Sequence, residues 1–141
     1  MAFVLDASVA LTWCFADEAS AFSASLLRRL AAGEEAIVPA HWPLEVLSAL
    51  IQGKRRKRID DLGIEQFIRD IASFHITVEQ NSAIADMGDL KKLSDEHTLT
   101  AYDAAYLELA RKNAVPLATL DAALVRACVK AQTAVLTAAA S

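Results

Sequence analysis

Glycine and proline are scarce, four and three residues in a chain of 141. That excludes collagen-like, proline-rich and glycine/serine-linker architectures. The glycines, at positions 33, 53, 63 and 88, form no phosphate-cradling loop, so a P-loop nucleotidase is excluded as well. The two cysteines, Cys14 and Cys128, lie too far apart to make a metal or redox motif. They are expected to be buried thiols of a cytoplasmic protein. Histidine is equally sparse, and neither His75 nor His97 shows metal-ligand spacing. No apolar run approaches the length of about 18 residues that a membrane-spanning helix needs. The start of the chain has no positively charged segment and meets Asp6 after five residues, which is unlike a secretory signal.

What is present suits one domain over residues 1–141, long enough to bury a sizeable core without disulfides or metal. Hydrophobic residues make up 55% and charged residues 23%, which is slightly apolar for a globular chain. Alanine is the commonest residue, which favours helix. The net charge of −4, from 14 Lys plus Arg against 18 Asp plus Glu, hides an asymmetry. Five cations stand consecutively at Lys54, Arg55, Arg56, Lys57 and Arg58, so the rest of the chain sets nine cations against all 18 acids.

Five short apolar runs read as strands: Phe3 to Leu5, Ala36 to Val38, His75 to Val78, Val115 to Ala118 and Ala134 to Thr137. Each is rich in Val, Ile or Leu without clean alternation, as strands buried on both faces of a parallel sheet are. The segments between them carry a helical period. Ser20 to Ala32 aligns Phe22, Leu26, Leu27 and Leu30, and Trp42 to Gly53 aligns Val46, Leu47, Leu50 and Ile51. Asp60 to Ser73, Asn81 to Ser94, Thr100 to Asn113 and Asp121 to Ala131 complete the helices, and Ala138 to Ser141 is expected to fray. Strands alternating with helices predict an α/β domain whose parallel sheet, of four to five strands, has helices on both faces.

That topology sends four acids to one place. Asp6 follows the first strand directly, and Asp121 comes three residues after the fourth ends, so both lie on the carboxyl edge of the sheet. Glu45 is in the opening turns of the helix after the second strand. Asp103 opens the helix that leads into the fourth strand, which starts at the same edge. Carboxylates crowded together raise one another's pKa or bind a cation. A ring of hard oxygen ligands with no His or Cys nearby selects Mg²⁺ or Mn²⁺ rather than zinc, and carboxylate-held Mg²⁺ is a common device of phosphoryl chemistry.

Each acid also has a purely structural reading. Thr100 to Asp103 has the spacing of a capping box; Glu45, just after Pro43, suits a helix dipole; Asp121 suits a helix cap or turn. Asp6 resists such a reading, because it ends a buried apolar strand with no adjacent cation to compensate it.

Four stretches carry a resemblance: Phe3-Val-Leu-Asp6-Ala-Ser8, Pro43-Leu-Glu45-Val-Leu-Ser48-Ala-Leu50, Tyr102-Asp103-Ala-Ala-Tyr106-Leu-Glu-Leu-Ala110 and Leu117-Ala-Thr119-Leu-Asp121-Ala-Ala-Leu124. Together they resemble PIN domains, and in particular the VapC toxins of toxin–antitoxin pairs. The resemblance implies a three-layer PIN-like sandwich and a Mg²⁺- or Mn²⁺-dependent endoribonuclease. It implies Asp6, Glu45, Asp103 and Asp121 as the catalytic, metal-binding quartet, with Ser8 and Thr119 as supporting hydroxyls. Hydrolysis would be in-line attack of a metal-activated water on an RNA phosphodiester, the 3′ oxygen leaving. It also implies a homodimer and a VapB-like antitoxin that covers the acids. One position departs from the pattern: Ser48 stands three residues after the glutamate, where asparagine is common.

Other features have two readings each. Lys54 to Arg58 could attract RNA phosphates or be a solvated loop. Trp13 and Trp42 could stack on bases or pack inside. His41, four residues before Glu45, suits a supporting role better than a ligand's. Phe22, Leu26, Leu27 and Leu30 could be core or line a groove for a partner. Two rival functions remain at this point. An aspartate-based phosphotransferase of the haloacid-dehalogenase type would want a second Asp where Ser8 stands. A non-catalytic RNA- or partner-binding module on the same fold would be expected to lose one of the four acids.

Overall fold

The computed structural model describes residues 1–79 and 84–138. Its centre is a five-stranded, wholly parallel sheet in the order β3-β2-β1-β4-β5. The strands are β1 (Phe3–Leu5), β2 (Ala36–Pro39), β3 (Ile76–Glu79), β4 (Leu117–Ala118) and β5 (Val135–Leu136). Around it, among the described residues, are seven helices: α1 (Ala7–Ala10), α2 (Ala21–Ala31), α3 (Trp42–Arg55), α4 (Asp61–Ala72), α5 (Met87–His97), α6 (Ala101–Asn113) and α7 (Ala122–Lys130).

Successive side chains of a strand point to opposite faces. Phe3, Val4 and Leu5 are nevertheless all fully buried, as are Leu117 and Ala118, so the central strands are covered on both sides. β3 and β5 lie at the edges and are half-buried throughout. The predicted α/β sandwich is the architecture observed. None of the helices among the described residues is long and apolar enough to cross a membrane.

Local chemistry sets the helix starts. Ser20 and Ser23 form a reciprocal capping box on α2, Pro43 sits in the first turn of α3, and Asp60 and Thr100 cap α4 and α6 through their side chains. The apolar faces fill one core around β1, with Leu26 and Leu30 of α2, Val46 and Leu50 of α3, and Tyr106, Leu107 and Leu109 of α6 deep within it.

Several open readings are resolved, and some boundaries shift. Phe22, Leu26 and Leu30 are core, and Leu27 is half-exposed and lines a cleft of about 340 Å³ with Trp13, Phe67 and Phe74. Trp42 is buried, and the Trp13 indole donates to the Ser23 carbonyl at 2.9 Å, so packing claims both rings rather than bases. The helix expected over 81–94 begins as a 3₁₀ turn at Ile84–Asp86 and runs on to His97. Its first three expected residues, and the tail from position 139, lie outside the described residues. Both cysteines are free; Cys128 is buried and Cys14 half-buried, and burial pushes each thiol up to about 11.

The strand order puts a reversal beside β1. The chain runs outward from β1 through β2 to β3, then returns to lay β4 on the other side of β1. In open parallel sheets the crevice at such a reversal, beyond the carboxyl ends of the strands, is where ligands bind.

Candidate active site

Asp6 stands at that reversal. β1 and β4 are in register with Leu5 opposite Ala118, and the Asp6 amide extends the pairing by donating to the Ala118 carbonyl at 3.0 Å. The Asp6 side chain is only 4% exposed. Its Oδ2 accepts from the Ser8 hydroxyl at 2.8 Å and from the buried Thr119 hydroxyl at 2.7 Å. Both hydroxyls are in turn fixed from the β4–α7 turn, since Ser8 Oγ accepts the Leu120 N–H at 3.1 Å and Thr119 Oγ1 accepts the Asp121 N–H at 3.0 Å. Burial nevertheless pushes the Asp6 carboxyl above its ordinary value; the two hydroxyls pull it back, and the charge of Asp121 adds to the rise. Ser8 holds Asp6 in position where an aspartate-based phosphotransferase would carry a second acid.

Glu45 reaches the same rim from the first turn of α3. Its Oε1 accepts from the Tyr106 hydroxyl at 2.7 Å. That hydroxyl accepts the Ala7 N–H at 3.3 Å, so one buried phenol ties the start of α1 to the glutamate. Glu45 is also raised, first by partial burial and then by Asp6 and Asp103, with Tyr106 opposing. His41 Nε2 lies 3.6 Å from Glu45 Oε1, too far for a hydrogen bond, and this buried nitrogen has no hydrogen-bond partner among the described residues. Burial holds His41 below its usual range, against the pull of Asp6.

Asp103 and Asp121 close the group. The capping-box spacing at Thr100 is realised through the backbone, with the Asp103 N–H donating to Thr100 Oγ1 at 3.1 Å. The Asp103 carboxyl is pushed up to about 6 by burial and by Asp121 and Asp6. Asp121 does cap α7, its Oδ1 accepting from the Ala123 and Leu124 amides at 2.8 and 3.1 Å. The structural and the electrostatic readings therefore hold together for this residue: it caps a helix and its charge is felt by Asp6 and Asp103.

Among the described residues, no Lys or Arg pairs with any of the four acids. Three of them are raised by burial and by their neighbours' charge, the condition of an acid cluster that lacks a counter-ion. The donors are all hard oxygens, which suits Mg²⁺ or Mn²⁺. No three His, Cys, Asp or Glu side chains among the described residues are already closed around an ion's position. The residues fit such an ion in chemistry and location, and the cage is not preformed.

α3 leads from this rim to the basic run. A cleft of about 530 Å³ holds Glu45 and Asp103, with Ser48, Ala49 and Gln52 along its α3 side. A second, of about 300 Å³, shares Ala49 and Gln52 and holds Ser8, Arg56 and Arg58. The five cations are not equivalent. Lys54 pairs with Asp61 at 2.7 Å, and Arg58 pairs with Asp17 at 2.9 Å and Glu18 at 3.2 Å while lying 4.2 Å over the Phe15 ring. Among the described residues, Arg55, Arg56 and Lys57 have no ion-pair partner. Tyr106 is the site residue the sequence reading did not single out. A lone phenol on the otherwise aliphatic inner face of α6, three residues after Asp103, was its only signal.

The PIN domain family model matches residues 3–130. The chain belongs to the PIN domain family. PIN domains are generally nucleases and typically use divalent metals, so the fold is a nuclease fold. Among solved structures, this PIN domain is similar to the crystal structure of PAE2754 from Pyrobaculum aerophilum, with a TM-score of 0.70 at 20% identity. The match covers 90% of this chain and 84% of that one and shows a shared fold. No curated protein sequence matches the chain.

Proposed function

We propose that this PIN domain is a divalent-metal-dependent endoribonuclease in which Asp6, Glu45, Asp103 and Asp121 hold Mg²⁺, with Mn²⁺ as a substitute. The observation that carries the reading is the convergence of four carboxylates, without a Lys or Arg partner, on the carboxyl edge beside the strand reversal. When bound, the ion supplies charge neutralisation for phosphate oxygens and a water of lowered pKa. The chain's own residues prepare the place. Thr119 and Ser8 fix the Asp6 carboxylate, Tyr106 fixes Glu45, and Asp121 is fixed by its cap on α7. Arg55, Arg56 and Lys57 supply attraction for a polyanion that the acidic body would repel.

The test is Asp6→Asn. It removes a buried charge whose burial is unfavourable, so the variant folds by circular dichroism and keeps or gains thermal stability. It loses divalent-dependent cleavage of single-stranded RNA by about two orders of magnitude or more. Full cleavage by that variant, or equal cleavage by the native chain in excess chelator, overturns the proposal. RNA binding without any cleavage would favour the non-catalytic module instead.

The physiological part of the reading is that the chain is the toxin of a toxin–antitoxin pair in the cytoplasm, homodimeric and held inactive by a VapB-like antitoxin. It is supported by the VapC-like stretches around the four acids. Induced expression is expected to arrest growth, and co-expression of a small gene immediately upstream to relieve the arrest; unimpeded growth counts against it.

A further inference from the structure

The cleft that holds Glu45 and Asp103 has a second character that catalysis does not use. Tyr102 lines it with 65% of its surface exposed, and Leu44 lines it at 71%, two large apolar side chains left in solvent beside a cluster of carboxylates. A single exposed apolar side chain is ordinary, but two lining one cleft form a local apolar patch of the kind that marks ligand-binding grooves. Tyr102 is also oriented. Its ring meets the His41 ring edge-on, with centroids 5.2 Å apart and planes at 60°, and His41 meets Tyr106 in the same way at 5.4 Å and 81°. Tyr106 is fully buried and His41 half-buried, so the three rings form a file running from the core to the surface and ending in a held, solvent-facing ring.

We infer that the Tyr102 ring is a stacking platform for one nucleobase of a single-stranded RNA, with Leu44 across the cleft and the Ser48 hydroxyl and Gln52 amide within it as hydrogen-bonding groups. This inference rests on the ribonuclease reading and adds to it which part of the substrate the cleft takes. The cleft, about 530 Å³, is of a size that takes small ligands. Through the divalent ion they are proposed to hold, its carboxylates mark where the phosphate side of a nucleotide would lie, and its apolar half gives the base a wall. Proteins that bind single strands combine an electropositive track with aromatic rings on which bases stack. Here the track is supplied by Arg56, in the adjoining cleft that shares Gln52. A peptide from a protein partner could also use an exposed tyrosine. The phosphate-directed carboxylates and neighbouring arginine favour the nucleotide.

The test uses the full chain carrying Asp6→Asn, so that RNA is not consumed, and a short labelled single-stranded RNA read by fluorescence anisotropy in Mg²⁺. Tyr102→Ala should weaken binding fivefold or more, and Tyr102→Phe should keep it, since stacking needs the ring and not the hydroxyl. Single abasic positions scanned along the RNA should show one that costs the parent a similar factor and costs Tyr102→Ala nothing further. The side chain is exposed, so the substitution does not threaten the fold. Unchanged affinity in Tyr102→Ala, or abasic RNAs that all bind like the intact one, overturns the inference and leaves the cleft to a protein partner. Cleavage by the native-Asp6 chain is measured in parallel. Tyr102-dependent binding without divalent-dependent cleavage would leave the platform standing and remove the nuclease reading. Cleavage and binding that ignore Tyr102 would do the reverse; failure of the parent to bind RNA removes the platform, and absence of cleavage by the native-Asp6 chain as well removes both.

Discussion

Asp103 is the acid whose state is most open to measurement, because it is half-buried and its carboxyl is pushed up to about 6 by burial and by Asp121 and Asp6. An acid whose folded pKa lies above its unfolded value of 3.8 favours the folded chain when protonated. Its stabilising contribution is complete below that unfolded value. It fades as pH rises through about 6 and is gone above it. Melting temperatures of the metal-free chain, measured across this window, should therefore fall more steeply for the native sequence than for Asp103→Asn, which cannot titrate. Identical slopes would mean that neither burial nor its neighbours' charge raises Asp103. Mg²⁺ should reverse the effect above the window, where the carboxylates are charged and free to take it, and do little below, where protons compete.

Among the helices, α3 does the most for the site, carrying Glu45 in its first turn and reaching the basic run at its end, roughly 14 Å away at 1.5 Å per residue. Gly53 lets the Phe15 ring pack against its last turn, since a Cβ there would lie 2.8 Å from Phe15 Cζ and 3.3 Å from Ile59 Cγ2. In an open helix Gly→Ala gains about 1 kcal/mol. Here the buried Phe15 ring, covered by Arg58, must give way at a cost of about 1–3 kcal/mol. Gly53→Ala should thus lower the melting temperature by a few degrees, and a rise would show that the ring yields freely. The period of apolar residues made α2, α3, α4, α6 and α7 legible to within a residue or two, because each buries one stripe. It missed α1, since Ala7 to Ala10 is too short to show a period and is buried on most sides. It also misplaced the end of α5, where Thr98 adopts a left-handed conformation without the glycine or asparagine that usually marks such a stop. The convergence of Asp6, Glu45, Asp103 and Asp121 was legible because it follows from strand and helix polarity alone. The roles of Tyr106 and His41 were not, because they depend on the depth and angle at which α3 and α6 pack.

Taken whole, the chain is an acidic body in which Arg55, Arg56 and Lys57 form a consecutive run of cations that, among the described residues, has no ion-pair partner. Replacing these three by Gln should reduce the salt slope of single-stranded RNA binding by about 2, at roughly 0.7 for each phosphate neutralised. Replacing Lys54 and Arg58 should change it much less, because Asp61, Asp17 and Glu18 already hold them. Equal slopes for the two variants would make the run a solvated loop and no more. The Asp6–Thr119 hydrogen bond joins positions 113 apart in sequence, and that spacing has a meaning for biosynthesis. Domains are made from the amino end and fold as units. A growing chain presents Asp6 well before β4, the Thr119 hydroxyl that holds it and Asp121. For a domain proposed to cut RNA, the order of synthesis acts as a safety catch: the rim cannot assemble until β4 and Asp121 have been made.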